Sequence, residues 1–295
     1  MTSSALEVFS DHWSASSPEA AMIAAAEHAA ADFSRFPPID PGAVAARFGA
    51  SVSVAPGQRR ADGSLADHGQ LTVRESRWHI RVPKELSIER RRFSVAHEIG
   101  HILLFSAVAD QPTLVRQLRG KATFADVERL CNLGAAHVLM PTGVVAETLR
   151  TLLPPTGKSV EALATRFRVS LEAAARRIVE VSPEWSVIFW ELSTTHPRGQ
   201  AWRTSGQHQR DDAPYLPPGQ SSSRRLQPDV VAEAALRGEA SAAKVLANLE
   251  GVVATMRDVS AWYVPRARHE LLEVADDRAR HREERVFLFY KADDH

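Results

Sequence analysis

Apolar and polar positions follow two periods along this chain, and those periods lay out its elements. Residues 1–17 hold neither period and read as a flexible lead-in. From Pro18 to Phe33, PEAAMIAAAEHAAADF is rich in good helix formers and predicts a helix. Pro37, Pro38 and Pro41 break the chain, and Asp40 then caps a short helix, GAVAARFG, that closes at Gly49. SVSVAP alternates as a strand does, ADGSLADHG is turn-rich, and QLTVR and WHIRV are two strand-like runs around Glu75 and Ser76, the second ended by Pro83. A long helix is predicted from near Ser87. A polar stretch runs from Asp110 to about Gly120, and a helix over FADVERLCNLGAAHVLM stops at Pro141. Helices are predicted in GVVAETLRTLL, SVEALATRF and SLEAAARRIVEV, and a strand in SVIFWEL. From His196 to about Asp229 the chain is rich in Pro, Gly, Ser, Gln and Arg and reads as a linker or long loop. Beyond it a helix is expected through VVAEAALRG to KVLANLEG, then strands in GVVATM, SAWYVP and RVFLFYK.

One helix departs from the ordinary amphipathic pattern. In FSVAHEIGHILL, residues 93–104, apolar side chains cover almost the whole circumference. His97, Glu98 and His101 share the remaining sector with Ser94. So apolar a helix belongs in the interior, where an uncompensated polar group costs roughly 2–7 kcal/mol. Two imidazoles and a carboxylate there need a partner.

The HExxH spacing supplies one. His97 and His101 stand at i and i+4, one turn apart on one face, so their ring nitrogens can converge on a single ion. Glu98 lies beside them, angled off toward where water would sit on that ion. That arrangement suits metal-assisted hydrolysis, in which Zn2+ acidifies water and polarises a carbonyl while a glutamate moves the proton. A third protein donor is required. The downstream helix offers Asp126, Glu128, Cys131 and His137. Glu128 ranks first because it shares a partly apolar face with Asn132 and Ala135; His137 follows, and Cys131 and Asp126 come after. His79 and His137 are the candidates for stabilising a developing oxyanion.

Composition narrows the setting. The chain has 295 residues, enough for two or three domains, with 44% hydrophobic and 24% charged residues. Lys+Arg and Asp+Glu both number 36, which argues against a globally basic nucleic-acid coat. Cys131 is the single cysteine, so no internal disulfide forms and a reducing cytoplasm is expected. The N-terminus lacks a signal-peptide pattern, and no apolar run approaches the roughly 20 residues of a membrane span.

Two stretches together, RRFSVAHEIGHILL and ERLCNLGAAHVLMP, resemble the ImmA/IrrE family of metallo-endopeptidases, and most closely the IrrE/PprI radiation-response regulators of deinococci. The resemblance implies a gluzincin-like HExxH…E site with His97, His101 and Glu128 as metal ligands and Glu98 as the catalytic base. It implies Zn2+ as cofactor, with Mn2+ an alternative in the cell. Asn132, Ala135, Ala136, Met140 and Pro141 also fit the family pattern, whereas Gly134 and His137 depart from it. The implied fold is α+β: a zincin-like minimal metallopeptidase domain over 18–143, a helix-turn-helix-like helical segment over 144–182, and a C-terminal α/β, GAF-like sensor domain over 183–295. The implied substrate is a helix-turn-helix (XRE-like) transcriptional repressor of a DNA-damage or mobile-element regulon. Such a substrate would add as a strand to a free sheet edge, for which WHIRV is the expected site.

SVEALATRFRVSLEAAARRI has the shape of a helix-turn-helix, with Ser159 and Ser170 as expected caps and Leu163, Ala164, Phe167, Val169, Ala174 and Ile178 as its small core. Residues 157–181 carry Lys158, Arg166, Arg168, Arg176 and Arg177 against Glu161, Glu172 and Glu180, and five minus three gives about +2. The second helix presents few base-reading side chains, so structural or substrate-docking use is favoured over DNA binding. The alternatives to a peptidase are a DNA-binding regulator that keeps the peptidase fold as a scaffold, and a toxin–antitoxin component.

Overall fold

In the computed structural model, the described residues are 4–61, 63, 65, 68–193, 201–208, 256–264 and 285–292. They divide into two compact units, residues 4–144 with 166–169, and residues 145–165 with 170 onward. Together they form an α+β architecture of helices with two small sheets. No helix among the described residues is long and apolar enough to cross a membrane.

The first unit begins with a helix where a flexible lead-in was expected. Helix α1, Ala5–His12, is started by Ser4, whose hydroxyl accepts from the Glu7 amide while the Glu7 carboxylate accepts from the Ser4 amide. This reciprocal cap satisfies two orphan donors, and complete burial of Phe9 anchors the helix. Helix α2, Pro18–Ala30, packs a row of alanines with Met22, and α3, Pro41–Arg47, starts on the Asp40 side chain. Strands β1 (Ser51–Ala55), β2 (Gln70–Arg74) and β3 (Arg77–Pro83) form a sheet in the order β1-β3-β2. β3 runs parallel to β1 and antiparallel to β2, so WHIRV is the central strand and not an edge. Alternation along a strand reports which face is buried and says nothing about neighbours in the sheet, which explains the error. Among the described residues, the free edges belong to β1 and β2.

Helix α4, Ile88–Ala107, is the centre of this unit and is capped by Ser87, whose hydroxyl accepts from the Arg90 amide. The Arg92 guanidinium pins its first half, donating to the carbonyls of Ile39 at 2.7 Å and of Phe167 and Arg168 at 3.2 Å. Helix α5, Pro112–Leu118, occupies the stretch read only as polar; Pro112 starts it, and Leu114 and Leu118, one turn apart, are both buried. Helix α6, Phe124–Leu139, packs along α4 and α2, and α7, Thr142–Leu149, follows it.

A partly buried polar clip joins α2 to the end of α6. The Glu27 carboxylate accepts from His137 Nδ1 and from the Thr142 backbone N–H, each at 2.9 Å, and from the Thr142 hydroxyl. Burial pushes this carboxyl up, but the bonds from His137 and Thr142 outweigh it and hold it at about 2. A folded value below the unfolded one of 4.5 means stabilisation that is complete above that pH and lost as pH falls through about 2. Glu27→Ala is expected to cost about 1–3 kcal/mol at pH 7, a range discounted for solvent screening. Urea melts of the two proteins should converge between pH 4 and 2, and a gap independent of pH would rule the clip out.

The second unit contains most of α8, Gly157–Phe167, with α9, Leu171–Val181, and strands β4 (Ser186–Ser193), β5 (Ala201–His208), β6 (Met256–Val264) and β7 (Arg285–Ala292). Thr156 takes the cap position expected of Ser159: its carbonyl accepts from the Val160 amide, and its hydroxyl and that of Ser159 bond each other's backbone N–H. Ser170 caps α9 as expected, accepting from the Ala173 amide. The six residues expected to form the small helical core are all buried. The four strands form an antiparallel sheet in the order β5-β4-β7-β6. Residues 201–208, expected to be linker, are thus an edge strand, because pairing with β4 overrides a composition that favours loop. The two strands expected in GVVATM and SAWYVP are one where described, β6. The helix expected through VVAEAALRG to KVLANLEG, and linker residues 196–200 and 209–229, lie outside the described residues. Phe189, Phe287 and Trp262 stack edge to face, with the Arg176 guanidinium over the Phe189 ring at 5.0 Å.

Candidate metal centre

The site is built where α4 crosses α6. A Cβ at Gly100 would stand 2.9 Å from Cys131 Cα, closer than real Cβ atoms come, so glycine lets the two backbones touch. A Cβ at Gly134 would meet Met22 Sδ at 2.7 Å and lie 3.8 Å from Gly100 Cα. Gly134, one of the two departures from the family pattern, therefore has a packing reason at the same crossing. This close approach carries the outer face of α6 up to the polar sector of α4.

Three of the expected residues meet there. Glu128 Oε2 is 3.3 Å from His97 Nε2, and Glu128 Oε1 is 3.4 Å from His101 Nε2. Two donors each about 2.1 Å from one tetrahedral ion would be about 3.4 Å apart. Each imidazole–carboxylate spacing therefore suits two donors on one divalent ion. The imidazoles lie edge to face at 5.1 Å between ring centres. His97 Nδ1 is 3.0 Å from Asn132 Oδ1, and the tautomer that donates this bond leaves the Nε2 lone pair turned to Glu128. Burial, and then the neighbouring His97, push His101 down to about 4, so its ring is neutral at pH 7 and its lone pair is available. Phe105 lies nearly parallel to both His101 and Trp78 of β3, with ring centres 6.3 and 6.1 Å away, and the Arg119 guanidinium is over its ring at 5.3 Å. These contacts restrict the plane of the His101 ring.

Cys131 is the competing donor, with its sulfur within 4.8 Å of the two imidazole donor atoms. Burial pushes its thiol well up, and the charges of Glu128 and Glu98 add to the effect, so the group is a protonated thiol packed under the site. Glu128 is the candidate third donor that reaches both rings. His137, ranked second from the sequence, is bound to Glu27. Asp126 is exposed, 3.6 Å from Arg129.

Glu98 is buried on the same turn as the histidines, with Gly69, at the entry to β2, against its carboxylate. His79, an oxyanion candidate, lies on the sheet face opposite Trp78 and bonds Ser51 Oγ at 2.7 Å. His137, the other candidate, bonds Glu27 instead. Sequence reading missed the supporting parts: Phe105 one turn beyond His101, Trp78, and the glycine at 69. Only Phe105 carried a sequence signal, its i+4 spacing from His101.

Residues 57–179 match the family model described as the IrrE N-terminal-like domain. The radiation response metalloprotease IrrE of Deinococcus radiodurans is 38% identical over 95 residues, which is 32% of this chain and 29% of that protein. The protein of the same name from Deinococcus deserti is 36% identical over 101 residues, 34% of this chain and 36% of its own length. The match thus spans about a third of these relatives. A solved Mycobacterium tuberculosis transcriptional regulator is similar in fold, with a TM-score of 0.52 at 17% identity over 92% of this chain and 87% of that one. The HExxH helix and the carboxylate helix both fall inside residues 57–179, the stretch that is similar to the IrrE N-terminal-like domain.

Proposed function

We propose that this chain is a zinc-dependent endopeptidase that cuts a helix-turn-helix (XRE-like) repressor and so releases a stress or mobile-element regulon. The observation that carries the reading is the convergence of His97, His101 and Glu128 at tetrahedral ligand spacing beside a buried Glu98. His97, His101 and Glu128 hold the ion, and Asn132 fixes the orientation of His97. A divalent ion bound there supplies Lewis acidity, which acidifies water and polarises the scissile carbonyl. Glu98 takes the proton from the attacking water as the oxygen–carbon bond forms, and gives it to the amine nitrogen as the carbon–nitrogen bond breaks. The free edge of β2, which begins beside Glu98, replaces WHIRV as the place where substrate adds as a strand.

The helix pair α8–α9 is read as helix-turn-helix-like, and the four-stranded sheet as part of a GAF-like sensor domain. A DNA-binding regulator is the second reading, in line with the name of the mycobacterial neighbour, whose likeness is one of fold. The basic residues of α9 count against it. Arg176 bonds Glu172 at 2.8 Å and covers Phe189, while Arg177 is buried and bonds Glu180 at 2.7 Å. Arginines held this way do not reach a major groove. Incubation with zinc and repressors encoded beside the gene is expected to yield two fragments from one cut, read by mass spectrometry. Sequence-selective gel shifts with no fragments would favour the regulator.

A further inference from the structure

We infer that Gly69 is a positioning residue for the Glu98 carboxylate; this rests on the reading of Glu98 as the base. A Cβ at Gly69 would stand 2.7 Å from Glu98 Oε1, 3.5 Å from its Cδ and 3.4 Å from Ser94 Cβ. Gly69 therefore fills the notch between two residues one turn apart on α4. Its backbone is not in the left-handed region, since only Gly49 and Gly63 among the described glycines are. Any residue could adopt its conformation, and space alone excludes a side chain.

The chain that follows it is held in register. Gly69 leads directly into β2, whose register on β3 is set by Gln70 opposite Arg81 and Leu71 opposite Ile80. Ile80 is fully buried. Arg81 in turn donates to the Pro56 carbonyl, and Gly57 donates to the Glu85 carboxylate at 2.9 Å. With wall and helix both fixed, the carboxylate is the part that yields to an added methyl group. The bare backbone at 69 thus limits which way Glu98 lies, and it does so at the start of the edge proposed for substrate. Misplacing a reacting group by 1 Å costs up to about 100-fold.

The test is a double-mutant cycle on G69A, E98A and the pair, read by cobalt absorption as Co2+-loaded protein is titrated with acetohydroxamate. This chelator sheds its proton to a neighbouring carboxylate as it binds, so its affinity reports where that carboxylate lies without any substrate. G69A is expected to hold one ion per chain by elemental analysis and to bind acetohydroxamate on the order of 10-fold more weakly. In the E98A background the same substitution should have no effect. An equal loss in both backgrounds, or none in either, overturns the inference and leaves the peptidase reading standing. If E98A alone binds the chelator as the wild type does, both fall. Should G69A melt below the wild type, removing the carboxylate in the paired variant is expected to restore the melt, and no recovery also overturns the assignment.

Discussion

Glu98→Gln is expected to keep a full complement of zinc and to lose repressor cleavage by about 10²–10⁴-fold, the range that a placed general base contributes. Glutamine has the shape of glutamate, so the contact with Gly69 and the burial of the side chain carry over. His97, His101 and Glu128 are untouched, and nothing in their mutual spacing depends on the charge at 98. What disappears is an oxygen able to take up a proton. Zinc per chain by elemental analysis and single-turnover cleavage of a cognate repressor separate the two roles. A variant that cuts at the wild-type rate would falsify the assignment of the base.

The second large effect falls on the ion itself. Glu128→Ala removes the group that faces both imidazoles at 3.3 and 3.4 Å and leaves two donors on one turn. Loss of a residue that merely supports a ligand weakens metal binding 10–100-fold, so loss of a ligand should exceed about 100-fold. Competition with a chromophoric chelator measures it. Cys131→Ser is the control, because a protonated, buried thiol contributes little and the serine variant should stay loaded. The reverse pattern, with the alanine variant full and the serine variant empty, would transfer the third position to sulfur.

The chemistry of this protein is written more plainly in its sequence than its architecture is. An i, i+4 pair of histidines in an apolar helix states its own geometry, because the helix fixes where the rings go. The approach of Glu128 needed only the face it shares with Asn132, and the structure gives Asn132 a matching task on His97. His137 misled because a buried histidine near a metal motif is indistinguishable from a ligand until its partner is known. That partner, Glu27, comes from a helix far earlier in the chain. Sheet order failed for a related reason. The parallel partner of β3 is β1, a non-local pairing that no alternation encodes. β5 shows the same thing from the other side, since its strand character comes from its neighbour. The Ser4–Glu7 cap of α1 was within reach, because Ser and Glu three apart are a start signal in themselves. What the sequence withholds there is the apolar environment that receives Phe9.

The touching backbones at Gly100 and Cys131 carry one more consequence. Two of the three donors ride on a single coil of chain and stay neighbours whenever that coil is wound. The third is delivered only when the seam between two separate rods has shut. An ion held by this set would therefore be bound weakly in any chain whose two helices have not yet closed on each other.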